Sequence, residues 1–313
     1  MFTKSIIKAY KKKFLVRHDP DGSIFYFSHT DFPGMNCEPF SFKGERGQHL
    51  QGYFYTKNVT RPDRLIVFDH GMGCGHKAYM REIDVLTEHG YTVFAYDHTG
   101  TLASGGENIG GFSQSLCDLD HAMKALKASG RTEGKRIAVM GHSWGGFSTM
   151  NIGAFHKEIT HLVAMSGFTS PIYLLRDKLK GYADAVFKVE VEYFGGYAFA
   201  NSALSLIETD AKALIVHSED DPRVPYYRFA ELRERIGEND RITFMPVNGK
   251  KHNPNYTVDA VKYRDKYFAE RAKLKKKRAT KEERDAFTKS CDWYKMTEQD
   301  MDFWKTVFNF IDG

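Results

Sequence analysis

The rhythm of apolar positions changes near Arg64. Before it, two runs alternate apolar and polar residues, at 23–28 and 49–55, with Gly44 and Gly47 nearby to turn the chain. A period of two marks half-buried strands, so this stretch predicts an antiparallel meander at a sheet edge. Beyond Arg64 the runs are short and continuously apolar: 65–68, 92–96, 137–140, 162–165, 213–216 and 242–246. Continuous apolarity suits strands covered on both faces. Between them lie helical patterns at 77–89, 113–129, 147–156 and 226–236. Gly90, Gly130 and Gly237 stand where three of these should stop. Strands alternating with helices predict an α/β fold with a mostly parallel, doubly wound sheet and helices on both faces.

Two segments do not fit that alternation. Residues 171–209 are helix-like and carry Tyr173, Tyr182, Phe187, Tyr193, Phe194, Tyr197 and Phe199. An insertion above the carboxyl edge of a sheet is expected to form a helical cap over a cleft. Residues 254–296 read as a basic helical insertion, with Lys273 to Arg278 its densest part. Thr280 to Glu283 reads as a capping box that restarts a helix. Thr297-Glu-Gln-Asp300 is expected to cap a last amphipathic helix bearing Met301, Trp304, Val307, Phe308 and Ile311. Residues 1–22 form a basic N-terminal arm, and 23–313 hold the main domain with both insertions.

Charge sharpens this division. The chain of 313 residues carries a formal +5. Residues 254–290 hold twelve Lys or Arg against six Asp or Glu, and residues 1–22 hold six against two. The basic character therefore belongs to the appendages, and the main body is mildly acidic. Nucleic acid is not an expected partner, because no base-stacking module accompanies the lysines. A solvated helix face explains them more simply than a surface for nucleic acid or an anionic membrane, and the insertion, which starts just after His252, is expected to help form the entrance to the site. Cys37, Cys74, Cys117 and Cys291 lack disulfide-framework or zinc spacing, which fits a reducing compartment. The N-terminus lacks the apolar core of a signal peptide, and no apolar run reaches the ~20 residues that span a bilayer. The expected setting is cytoplasmic. Nothing in the sequence sets the oligomeric state.

The chemistry concentrates after the strand at 137–140. Gly141-His-Ser-Trp-Gly145 joins that strand directly to a helix. A turn this tight forces Ser143 into strained backbone geometry and holds its hydroxyl over a helix N-terminus. A serine nucleophile needs a base, an orienting carboxylate and amide donors for an oxyanion. Asp221 follows the strand at 213–216, with Glu219 and Asp220 as rival acids. His252 follows the strand at 242–246. Asp69-His-Gly-Met-Gly-Cys-Gly75 follows the strand at 65–68, making the Met72 and Trp144 amides the candidate oxyanion donors. His70, His142 and His217 read as turn-stabilising neighbours, and Cys74 beside the glycine-rich turn is assigned no role. His70 and His76 lack metal-ligand spacing, so neither a metal nor another cofactor is expected.

With these residues in place, the chain resembles the α/β-hydrolase family over roughly 65–252. The resemblance rests on His70-Gly71, Tyr96 to Ser104, the Gly141–Gly145 elbow, the Asp221 turn and the His252 loop, in the order Ser, Asp, His. It is similar to esterases, acylglycerol lipases and serine aminopeptidases with a helical cap. That resemblance implies a sheet of about eight strands and a serine hydrolase acting through an acyl-enzyme on a small-molecule carboxylic ester, with amide and thioester as related alternatives. One departure stands out: relatives usually carry Arg where this chain has Thr99. The alternative from a different class is a hydrolase-fold protein that binds a ligand without chemistry.

Overall fold

The computed structural model describes residues 2–313; Met1, the first residue of the expected basic arm, lies outside them. Eight strands form one sheet: β1 (Asn36–Lys43), β2 (His49–Thr56), β3 (Arg64–Asp69), β4 (Thr92–Tyr96), β5 (Arg136–His142), β6 (Ile159–Met165), β7 (Lys212–Ser218) and β8 (Ile242–Val247), in the order β1-β2-β4-β3-β5-β6-β7-β8. The β1–β2 and β2–β4 pairs are antiparallel, and the rest are parallel. The helices are α1 (Phe2–Phe14), α2 (Met80–Glu88), α3 (Gln114–Ala128), α4 (Trp144–Ile152), α5 (Pro171–Leu179), α6 (Ala183–Phe194), α7 (Ser202–Glu208), α8 (Tyr226–Ile236), α9 (Val258–Lys276), α10 (Lys281–Ser290), α11 (Trp293–Met296) and α12 (Met301–Asp312).

Successive residues of a strand face opposite sides, so the apolar run of β3 divides between two cores. Leu65 and Val67 join one with Leu116, Leu119 and Met123 of α3 and Phe147 of α4. Ile66 and Phe68 join the other with Ile83 and Leu86 of α2 and Trp304, Val307 and Ile311 of α12. This is why the central strands read as unbroken apolar runs: both faces are covered.

One expectation fails in an instructive way. Residues 23–28 are not a strand. Their alternation instead seats Phe25 and Phe27 against Trp293 and Tyr294. The outer strand is β1, whose Glu38 and Pro39 disguise it; Pro lacks an N–H and is tolerated at an edge. The last helix is capped by Asp300, which accepts from the Asp302 and Phe303 amides, while the Thr297 hydroxyl donates to the Trp293 carbonyl. The capping box at Thr280 and Glu283 is present.

Candidate active site

β5 passes into α4 with a single residue between them, Ser143, at φ +58° and ψ −106°. A non-glycine residue in the positive-φ region is strained and persists only where its surroundings hold it. Here the Ser143 amide donates to the Met165 carbonyl at 2.8 Å, and its carbonyl accepts from Phe147. The flanking glycines make room. A Cβ on Gly145 would collide with the Asp69 carbonyl, and one on Gly141 with the Gly145 carbonyl.

The structure brings three side chains predicted from separate strands into one line. His252 Nε2 lies 2.9 Å from Ser143 Oγ, and its Nδ1 lies 2.7 Å from Asp221 Oδ2. The other Asp221 oxygen accepts from the Arg223 and Val224 amides at 2.7 and 3.1 Å. Burial pushes the Asp221 carboxyl up, but its bonds to His252 and these amides outweigh burial and hold it below the usual range. Burial lowers His252, and Asp221 offsets this only in part. An Nδ1–H donated to Asp221 leaves Nε2 with a lone pair facing the serine hydroxyl. The rival acids are engaged elsewhere: Asp220 accepts from the Lys251 amide and Glu219 from Asn248.

The glycine-rich turn after β3 is pinned through one peptide plane. The Gly71 carbonyl accepts from His70 Nδ1 at 2.7 Å and from the Cys74 thiol at 3.0 Å. A trans peptide points its C=O and N–H in opposite directions. Fixing the Gly71 carbonyl therefore fixes the direction of the Met72 N–H. The His70 tautomer is set as well, because Nε2 accepts from the His98 amide at 3.0 Å. Burial and the neighbouring His98 charge hold His70 down to about 3, so it stays neutral. The Trp144 amide opens α4, where first-turn N–H groups have no intrahelical acceptor.

Beneath this turn lies a buried charge cluster that the sequence did not suggest. His98 Nε2 is 2.9 Å from Asp69 and Nδ1 is 3.3 Å from Asp118, all fully buried. Burial lowers His98, yet the two carboxylates outweigh it and raise it to about 9. Thr99, at the position of the expected Arg, binds Asp118 through both its amide and its hydroxyl. The cation facing Asp118 is therefore His98.

Further bonds anchor the loop that carries His252. Lys250 Nζ donates to the Tyr256 carbonyl and pairs with Asp300, the cap of α12. The His252 carbonyl accepts from His142 Nε2 at 2.5 Å. On the other flank, Trp144 Nε1 donates to the Phe112 carbonyl at 2.6 Å. Glu190 of α6 accepts from the Phe112 amide, the Ser113 amide and hydroxyl, and the Tyr10 hydroxyl of α1. Burial pushes the Glu190 carboxyl up even against these donors.

The aromatic residues of 171–209 divide. Phe194 is buried; Phe187, Tyr193 and Tyr197 are partly so; Tyr173 lies under Arg228 and Arg235; Tyr182 and Phe199 are exposed. In the basic segment, Arg264 of α9 is near enough to His252 to lower it electrostatically. Lys273, Lys275 and Lys276 lie about 13 Å or more further along the axis of the same helix. Among the described residues, Glu45, Cys117 and His121 gather three metal-ligating types. The His121 ring is paired with Glu45 at 2.5 Å, and none of the three belongs to the Ser143 site. No described helix is long and apolar enough to cross a membrane.

Sheet order, crossovers and elbow place this chain among the α/β-hydrolases. A model of the family "Serine aminopeptidase, S33" matches residues 60–224, just over half of the chain, and the chain belongs to that family. It is 26% identical over 234 residues to the lysophosphatidylserine lipase ABHD12 of Xenopus tropicalis, covering 66% of this chain and 56% of that protein. The chain thus spans little more than half the length of that relative. Among solved structures, the esterase Pf2001 of Pyrococcus furiosus superposes with a TM-score of 0.59 at 21% identity, covering 81% of this chain and 96% of the other. Est1E of Butyrivibrio proteoclasticus, solved with ferulic acid, gives 0.56 at 17%, covering 74% and 97%. A puromycin-hydrolyzing peptidase of Mycobacterium tuberculosis gives 0.56 at 15%, covering 70% and 36%. These structural likenesses speak to the fold.

Proposed function

We propose that Ser143, His252 and Asp221 are a catalytic triad that cleaves a carboxylic ester through an acyl-enzyme. The observation that carries this is the unbroken line Ser143 Oγ–His252 Nε2, His252 Nδ1–Asp221 at the head of a strained elbow. His252 takes the hydroxyl proton as Ser143 attacks the carbonyl carbon. Asp221 holds the ring in the needed tautomer and stabilises the imidazolium. The Met72 and Trp144 amides receive the oxyanion. The alcohol leaves with the proton from His252, and water then repeats the sequence on the acyl-serine. Segment 171–209 acts as the cap over the acyl group, and the first turns of α9 form part of the mouth.

Ester rather than aminopeptide cleavage is favoured by the charge around the base. Arg223 and Arg264 both act on His252. Asp221, the carboxylate nearest the base, is already committed to it. A substrate with a free α-ammonium would meet a positive field. Of the relatives matched by sequence, the lysophosphatidylserine lipase points the same way, while the family's printed name, serine aminopeptidase, points to the other reading. The non-catalytic alternative has nothing in its favour here, because no member of the constellation is missing.

Ser143→Ala should abolish hydrolysis of short- and medium-chain p-nitrophenyl esters and labelling by a fluorophosphonate, with the thermal midpoint unchanged. Wild-type turnover by Ser143→Ala would overturn the assignment. Faster cleavage of aminoacyl amides than of esters would move it to the peptidases.

A further inference from the structure

We propose that His142 and Tyr79 are positioning residues that tie the glycine-rich turn after β3 to the backbone of His252, so that oxyanion donor and base are held in register with each other. This rests on the triad reading above and adds to it two residues that touch no substrate.

Every proton in the connection can be assigned. His142 Nε2 faces the His252 carbonyl at 2.5 Å. A carbonyl only accepts, so Nε2 carries the hydrogen. In a neutral ring Nδ1 must then accept, and its partner at 2.8 Å is the Tyr79 hydroxyl. Tyr79 therefore donates to His142, which leaves its oxygen free to accept from the Gly71 amide at 3.0 Å. The result is one directed chain, Gly71 N–H to Tyr79, Tyr79 to His142, His142 to the carbonyl of His252. Gly71 is bound on both sides: its amide by Tyr79, and its carbonyl by His70 and Cys74. The chain ends on the His70–Gly71 peptide, so the Cα of Gly71 links the peptide that carries the Met72 N–H to the loop that carries the base.

That loop needs an external hold. Lys251, next to His252, sits at φ +49°, a strained conformation for a non-glycine residue. Its neighbour Lys250 is tied to Tyr256 and Asp300, and the Lys251 amide donates to Asp220, but these bonds stop short of the His252 backbone. His142 supplies the bond at His252 itself, from the residue preceding the nucleophile. The two rings lie 4.9 Å apart between centroids, so a charged His142 would repel the imidazolium formed during attack. Burial first, then the neighbouring base, holds His142 down to about 3, and the neutral form assumed in the assignment is the one present.

Nothing in the chain reaches the reacting atoms, so its loss should misplace the machinery rather than remove it. A displacement of about 1 Å can cost on the order of 100-fold in rate. The expected pattern is a fall of about 10- to 100-fold in kcat for Tyr79→Phe and for His142→Asn, with KM within about threefold. His142→Gln, whose amide can reach the His252 carbonyl as Nε2 does, should recover most of the loss. The readouts are kcat and KM on p-nitrophenyl butyrate, the rate of fluorophosphonate labelling at Ser143, and the thermal midpoint. A purely structural role would lower the midpoint while leaving kcat and labelling rate intact, and that result overturns the proposal. So would Asn and Gln at 142 behaving alike. If His142→Asn does not fold, Tyr79→Phe, which removes one oxygen atom, decides. Ser143→Ala measured alongside separates the two readings. An active Ser143→Ala sinks the triad, whereas an inactive one beside a fully active Tyr79→Phe sinks only the coupling.

Discussion

The imidazolium of His98 should make the protein lose stability as pH rises through neutrality. In the unfolded chain a histidine titrates near 6.5; in the folded chain His98 is raised to about 9 by Asp69 and Asp118. Below pH 6.5 both states hold the proton, and the favourable interaction is present in full. Between 6.5 and about 9 only the folded state holds it, so stability falls with each added pH unit. Above about 9 the contribution is gone. At about 1.4 kcal/mol per pH unit, the range from 6.5 to about 9 corresponds to about 3 kcal/mol. The site is fully buried, so solvent screening does not discount this much. The ring contacts are close but do not meet the angular criteria of good hydrogen bonds, which makes about 3 kcal/mol a ceiling. Urea unfolding at pH 6, 7, 8 and 9 reads the slope. The Cε1 resonance of His98 in the proton NMR spectrum isolates its source. A His98 signal that titrates with a midpoint at or below 6.5 would refute the reasoning, as would a flat stability profile. Replacing His98 by Asn leaves two buried carboxylates without their cation and should cost about 3–5 kcal/mol.

Asp221→Asn should lower kcat about 10⁴-fold with little change in KM, because an amide facing Nδ1 favours the wrong tautomer. Since Asp221 raises His252, the acid limb of its residual activity should also move to lower pH; a limb moving upward would contradict the assignment. Gly145→Ala should cost about 3 kcal/mol, since its Cβ meets the Asp69 backbone, whereas Gly196→Ala, with nothing nearby, should be neutral in the same calorimetric assay. Tyr10→Phe should lower stability by about 2 kcal/mol in chemical denaturation, for the loss of a buried bond to a carboxylate. A value near zero would show that Glu190 is satisfied by its amides alone.

The proposed triad residues were legible because each follows a strand end. Ser143, Asp221 and His252 come after β5, β7 and β8, and a parallel sheet carries such ends to one edge. Their short loops leave little freedom in where the side chains go. Tyr79, His142 and Gly71 were not legible as a unit. Their contact depends on how a 3-10 turn at His76–Tyr79 folds back over a glycine-rich loop, which no periodicity records. His98, Asp69 and Asp118 were hidden for a related reason: three charges on three elements in a core look like ordinary polar residues until burial brings them together. The run at 23–28 misled because packing against helices leaves the same two-residue rhythm as pairing in a sheet. In 171–209 the aromatic count was plain, but its division between filling the core and facing outward depends on helix rotation.

The pairing of Lys250 with Asp300 has a consequence for the order of events in the life of the chain. The serine, the oxyanion turn and the acid are all encoded before residue 222. The loop bearing the base is held by a residue some fifty positions after it, at the head of α12. A nascent chain can therefore form its elbow and much of its sheet while the loop that carries His252 still lacks one of its holds. Under the proposed triad, full activity is expected only once the segment around Asp300 has emerged and docked. A nick or early stop ahead of α12 should then lower turnover while leaving Ser143 in place.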